Sequence, residues 1–132
     1  MKQIKIKPST CALIAGAFAI AGALSGPRVA TAAEVVSYQL DVKPILDSRC
    51  VSCHSPGGEG YQASGLDLST YKGLMAGTKH GPIIVPGEPL VSNLNVLVEG
   101  RAQVQMPHNQ RPLLAAQTGI LREWVKQGAK DN

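Results

Sequence analysis

Cys50-Val51-Ser52-Cys53-His54 is the stretch from which the chain is read. Two thiols separated by two residues, with an imidazole directly after the second, is the spacing that attaches a c-type haem covalently. The reason is geometric. On one tight helical turn both thiols reach the same side, where each can form a thioether with a neighbouring vinyl group of the porphyrin, and His54 then faces the iron. A haem with a proximal histidine takes its chemistry from whatever fills the sixth position. Met106 is the leading candidate.

Other uses of the cysteine pair fit less well. A disulfide across two residues closes a tiny loop, stabilises little beyond that turn and leaves His54 without a role. A redox dithiol belongs at the head of a helix in a βαβ pattern, and the sequence has none. Zinc needs two more ligands, for which only His80 and His108 are available.

The N-terminus reads as an export signal. Lys2, Lys5 and Lys7 precede an apolar run from Cys11 to Leu24, and Ala30-Thr31-Ala32 supplies the small-x-small pattern of a cleavage site. The run is 14 residues, short of the roughly 20 that a spanning helix needs. Residues 1–32 are therefore expected to be a removed secretory signal, cut after Ala32 with Ala33 as the alternative, and residues 33–132 to form one domain. The formal charge of +4 belongs to the precursor. Beyond Ala32 nine basic residues face nine acidic ones, so charge gives no ground for a nucleic-acid partner or for membrane insertion of the mature chain. Export with this motif implies a periplasmic protein, two remaining cysteines and one covalent haem.

The mature stretch has four aromatic residues, little material for a core, and a small domain often needs a staple. A buried porphyrin would supply it. A first helix is expected over Val42–Arg49, with Asp41 as N-cap and Pro44 in the first turn. The glycines and prolines between Ser55 and Gly65 suggest an irregular loop. Ser69 or Thr70 would cap a short helix ending at Met75, before Gly77. Gly81-Pro82-Ile83-Ile84-Val85-Pro86-Gly87 suits an extended crossing. Pro89 opens a third helix whose stripe is Leu90, Val91, Leu94, Leu97 and Val98, ending at Gly100, and a last helix covers Ile120–Gln127, starting as early as Ala115. Its buried face would be Ile120, Leu121, Trp124 and Val125. The expected fold class is small and all-α, with helices wrapped round the cofactor.

Met106 precedes Pro107, which biases it to an extended loop that can bring a thioether over the haem. His108 is its rival and would give bis-histidine ligation. Met75 and His80 are weaker candidates, the first in a helix at a core-like position. A proximal histidine donates its second ring N–H to a carbonyl, and the Pro82 carbonyl is a candidate acceptor. Arg101 and Arg111 flank the Met106 loop. Each is either solvated charge or a fork-shaped partner for a haem propionate.

Taken in order, Val42-Lys43-Pro44-Ile45-Leu46, Cys50-Val51-Ser52-Cys53-His54, Gly65-Leu66-Asp67-Leu68, the Gly81–Gly87 stretch, Met106-Pro107 and Trp124-Val125-Lys126-Gln127-Gly128-Ala129 resemble the planctomycete-type branch of class I cytochromes c. The resemblance spans roughly Asp41 to Ala129. It implies a monohaem class I fold, terminal helices crossing beside the haem, and His54 and Met106 as axial ligands. His108 stands where a second proline often follows Met-Pro.

The function expected is single-electron transport between protein redox partners, without catalysis, since a haem with both axial positions filled has no room for a substrate. The alternatives are a haem sensor, small-ligand binder or weak peroxidase with an open sixth position, and a dedicated electron-transfer subunit of a dehydrogenase or reductase. Zero net charge provides no strong steering field, which leans toward a fixed partner.

Overall fold

Ser37 starts the first helical run among the described residues. Its hydroxyl accepts from the Leu40 N–H at 3.2 Å while its own N–H donates to Asp41 Oδ2 at 2.8 Å, a reciprocal pair that satisfies two free helix-terminal groups. The computed structural model describes residues 34–132, so the cleavage point after Ala32 lies outside the described residues. A π-helical turn, Tyr38–Val42, runs directly into α1, Lys43–Arg49. Asp41 is therefore inside the helical run, not its cap. Ser37 took that place because Asp41 folds back on it from four residues ahead.

Four more helices follow: α2 (Glu59–Ser64), α3 (Tyr71–Ala76), α4 (Asn93–Val98) and α5 (Ala115–Lys126). Among the described residues there is no strand, only an isolated bridge between Thr78 and Gly81, and the class is all-α. No helix among them is long and apolar enough to cross a membrane.

Two boundaries depart from expectation. The Ser55–Gly65 stretch is not wholly irregular, because α2 lies within it, stopped by Gly65 in the left-handed region at φ 76°. Its glycines mask a helix that propensity disfavours. The third helix begins at Asn93, four residues later than Pro89 suggested, and Leu90 and Val91 stand 62% and 63% exposed in the turn before it. Ser92 is the reason. Its buried hydroxyl accepts from the Val85 N–H at 2.9 Å and donates to the Glu88 carbonyl at 2.9 Å, holding residues 85–92 as a closed turn.

α3 is capped by Thr70, which accepts from the Gly73 N–H at 3.0 Å. α5 opens at Ala115 without a Ser or Thr. Gln117 instead reaches back to accept from the Leu114 N–H at 3.0 Å.

The two ends of the described stretch are laced together. Tyr38 and Trp124, both about 1% exposed, pack with ring centroids 5.6 Å apart, and Tyr71 meets Tyr38 edge-on at 5.1 Å. Around them the Gln39 N–H and Ser37 hydroxyl donate to the Asn132 carbonyl, and the Val36 N–H to Gln127. Such aromatic contacts contribute about 0.5–1.5 kcal/mol beyond burial. They seat the π turn and α1 against α5, which also packs on α4.

Among the described residues, the Tyr38 hydroxyl and both ends of the fully buried Asn95 amide are buried polar groups without a partner. Burial, and next the nearby Asp131 carboxylate, push Tyr38 up to about 12. The folded state then holds the phenolic proton more tightly than the unfolded chain, whose tyrosines titrate near 10. Stability from this group is complete below about pH 10 and falls as pH rises toward 12. Tyr38→Phe should flatten that alkaline slope and raise stability at pH 7 by about 1 kcal/mol, read by thermal unfolding across pH. Asn95→Leu should likewise stabilise, by about 1–3 kcal/mol in urea titrations; a loss would mean that the amide is satisfied in solution.

Candidate functional site

The turn that ends α1 delivers the motif. Cys50 N–H donates to the Leu46 carbonyl at 2.8 Å, and the N–H groups of Cys53 and His54 both donate to the Cys50 carbonyl, at 3.1 and 2.9 Å. The backbone therefore winds tightly through the pentapeptide and is not free to spread the two thiols. Neither thiol is in a disulfide; Cys50 is half-buried and Cys53 exposed. Burial pushes the Cys50 thiol up to about 11, against a smaller lowering by the neighbouring Arg49.

These residues open onto a cavity of about 640 Å³, within the usual range of about 300–1,000 Å³ for ligand pockets. Its apolar wall comes from Leu66 and Leu68 after α2, Ile83 in the crossing, and Leu94, Leu97 and Val98 on α4. Leu94, Leu97 and Val98 follow i, i+3, i+4 spacing and share one helix face. The Leu94 N–H donates to the Ile83 carbonyl at 3.0 Å, fixing that face against the crossing.

Cys50, Cys53, His54 and Met106 all line this one cavity, although 52 residues separate His54 from Met106 in the chain. Met106 is half-buried against the core, and its N–H donates to the Leu97 carbonyl at 3.0 Å, so α4 itself holds the loop. His108 also lines the cavity but is exposed. Met75 packs against the core and His80 is exposed, and neither reaches the cavity lining. Among the described residues no three His, Cys, Asp or Glu side chains gather as a metal-ion site, so zinc lacks its further ligands.

His54 is half-buried. Its Nδ1 is fully buried without a hydrogen-bond partner, and burial lowers its pKa, partly opposed by the backbone at Leu66. Leu66 is thus the backbone group beside the imidazole. Pro82, read from the sequence as the acceptor, is exposed, outside the cavity lining and without a hydrogen bond to Nδ1. Ring and α2 meet closely: a Cβ at Gly60 would lie 2.7–2.9 Å from three atoms of the imidazole.

The two flanking arginines stay off the lining as well. Arg101 donates through Nε to Glu99 at 2.6 Å and through its terminal nitrogens to the carbonyls of Leu90 and Pro89. Arg111 is exposed, and its carbonyl accepts from Arg49. Arg49 is the basic side chain that does line the cavity. Sequence reading gave it no role beyond closing the first helix, though its place next to Cys50 carried the signal. It also passed over Gly60, whose signal was a glycine close after the histidine.

The donor set fits a covalent haem. Two free thiols stand on one turn, an imidazole has its Nδ1 buried, a thioether shares the cavity, and the wall is apolar enough for a porphyrin. These are the features of a cytochrome c domain. Residues 50–109 match the planctomycete cytochrome C family, the one the sequence resembles. No curated protein and no solved structure matches the chain. That match supports a haem-binding, electron-transfer role with protein redox partners.

Glu99 braces the start of the Met106 loop. Its side chain is 9% exposed, and one oxygen accepts from Arg101 Nε at 2.6 Å and forms an ion pair with Arg122 of α5 at 2.7 Å. The arginines are partly solvated, which moderates the loss on breaking the cluster. Glu99→Gln should lower stability by about 1–2 kcal/mol, seen as a lower urea midpoint at unchanged slope. An unchanged midpoint would mean that the loop does not depend on this carboxylate.

Proposed function

We propose that the chain is an exported, periplasmic monohaem cytochrome of class I form that carries single electrons between protein partners. Cys50 and Cys53 would hold haem c through thioethers, with His54 and Met106 as axial ligands. The observation that carries this most strongly is the convergence of these four side chains on one apolar cavity from loops on either side of three helices.

Bound haem c supplies reversible one-electron exchange at iron. The protein's share is attachment, ligation and dielectric. The buried Nδ1 of His54 leaves Nε2 as its ligating nitrogen. The Met106 thioether, on a loop held from Leu97, would be the second protein ligand to the iron and would keep water and substrate from it, which favours electron transfer over catalysis. Leu66, Leu68, Ile83, Leu94 and Val98 are all buried, and they surround the site with a low dielectric that strengthens every charge interaction inside it. Axial ligand identity is among the main controls of haem potential, which spans about 0.8 V across proteins. Thioether ligation should set this one toward the high end. Arg49, at the cavity and beside the first thiol, is better placed than Arg101 or Arg111 to face an anionic group there. The export signal and cleavage after Ala32 rest on the sequence pattern.

Optical spectra of the exported protein test the proposal, taken in both redox states with and without carbon monoxide. Wild type should be low-spin, show the weak long-wavelength ferric band of thioether ligation, and take up no carbon monoxide. Met106→Ala should become high-spin and saturate with the gas, while His108→Gln should match wild type. Uptake by wild type would favour the sensor or peroxidase alternative. Loss of the low-spin spectrum in His108→Gln alone would make His108 the ligand.

A further inference from the structure

Glycine is a poor choice inside a helix, because it loses more backbone freedom on folding than alanine does. α2 nevertheless carries Gly60 at its second position. The reason is on its neighbour's side: a Cβ at Gly60 would lie 2.7 Å from His54 Cε1 and 2.9 Å from both ring nitrogens. Carbon contacts are favourable only near 3.5–4.0 Å, so the overlap would involve most of the ring and not one grazed atom. The imidazole lies against bare helix backbone.

Neither backbone can yield easily. On the α2 side, the Tyr61 N–H donates to the Cys53 carbonyl at 3.0 Å, and the Lys79 N–H to the Ser64 carbonyl at 2.9 Å. On the histidine side, the Leu68 N–H donates to the His54 carbonyl at 2.7 Å, and the His54 N–H is bound to Cys50. A Cβ at Gly58 would meet the Cys53 carbonyl oxygen at 2.3 Å, so the helix start is pressed onto the motif backbone itself. With both main chains held, the soft coordinate is rotation of the imidazole about its own side-chain bonds.

We propose that Gly60 is the positioning residue for His54: the absence of its Cβ opens the slot that sets the plane of the imidazole and hence the direction from which its free nitrogen approaches haem iron. This rests on the haem function proposed above. Any side chain at position 60 turns the ring out of that plane while leaving the ligand chemically present.

The test compares wild-type holoprotein with Gly60→Ala and Gly119→Ala. Gly119 lies in α5, where an added Cβ meets nothing within 4 Å, so it reports the generic effect of glycine to alanine in a helix. Intact mass establishes covalent haem in each protein, ferric electron paramagnetic resonance reads ligand-plane geometry through the g values, and the ferrous protein is examined for a nuclear Overhauser contact between the Gly60 Hα and the His54 ring. Expected are the contact in wild type, wild-type g values in Gly119→Ala, and a displaced low-spin set or a new high-spin fraction in Gly60→Ala. Wild-type g values in a haem-loaded Gly60→Ala would overturn the proposal. Should Gly60→Ala fail to mature, the contact decides: present, it supports the slot; absent, it removes it. A wild-type mass without haem would defeat the functional proposal itself, and this one with it.

Discussion

The packing of Tyr38 against Trp124 is the contact on which the rest of the structure depends. It joins the first helical turn among the described residues to the last helix, and Tyr71 on α3 closes the cluster from a third direction. Tyr71 donates its hydroxyl to the Ala129 carbonyl and Trp124 its indole N–H to the Lys130 carbonyl, so the C-terminal segment is drawn in as well. Because α1 continues the π turn without a break, fixing Tyr38 fixes where Arg49 and Cys50 emerge. Because α4 packs on α5, the same cluster sets where Leu94, Leu97 and Val98 face. Both walls of the cavity are referred to one aromatic joint.

The core and the cavity share residues. Leu66, Leu68, Ile83, Leu94 and Val98 are each under 9% exposed and also line the 640 Å³ space. A chain with one tryptophan, no phenylalanine after Phe18 and nine charges of each sign beyond Ala32 has few apolar groups with which to fill its own interior. An apolar ring bound among those side chains would add burial that the sequence does not supply, at about 25 cal/mol for each Å² removed from water.

The parts of the fold that sequence made legible are those where local chemistry decides. Cys50, Cys53 and His54 sit on one tight turn, as their spacing suggested, Thr70 caps α3, and the 3.6-residue stripe of Leu121, Trp124 and Val125 marks the inner face of α5. What escaped depends on partners distant in the chain or hidden by composition. α2 is short, glycine-containing and without buried residues, so neither propensity nor periodicity signals it. The late start of α4 follows from a Ser92 hydroxyl serving two carbonyls and an amide, and no stripe records that. Arg101 looked free to meet a propionate because its three acceptors, on Glu99, Leu90 and Pro89, are fixed only when the 89–101 stretch folds. Pro82 was the sensible carbonyl on chemical grounds, yet the path after α2 brings Leu66 to the imidazole first.

The two sides of the site are built with unequal stiffness. On the His54 side, main-chain bonds from Cys50, Cys53, Ser55, Tyr61 and Leu68 interlock within 20 residues, and two glycines let backbone press on backbone and ring. On the Met106 side, residues 101–105 are all exposed, and the loop is tied by the Met106 N–H to Leu97, the Arg101 N–H to Val96 and the Glu99 cluster. Local opening follows the density of buried contacts and protected hydrogen bonds. The methionine side is therefore the one that yields first, whereas the histidine stays in register with the thiols that share its turn. In the haem carrier proposed above, with His54 and Met106 as ligands, that division would assign permanence to the attachment turn and adjustment to the loop after α4.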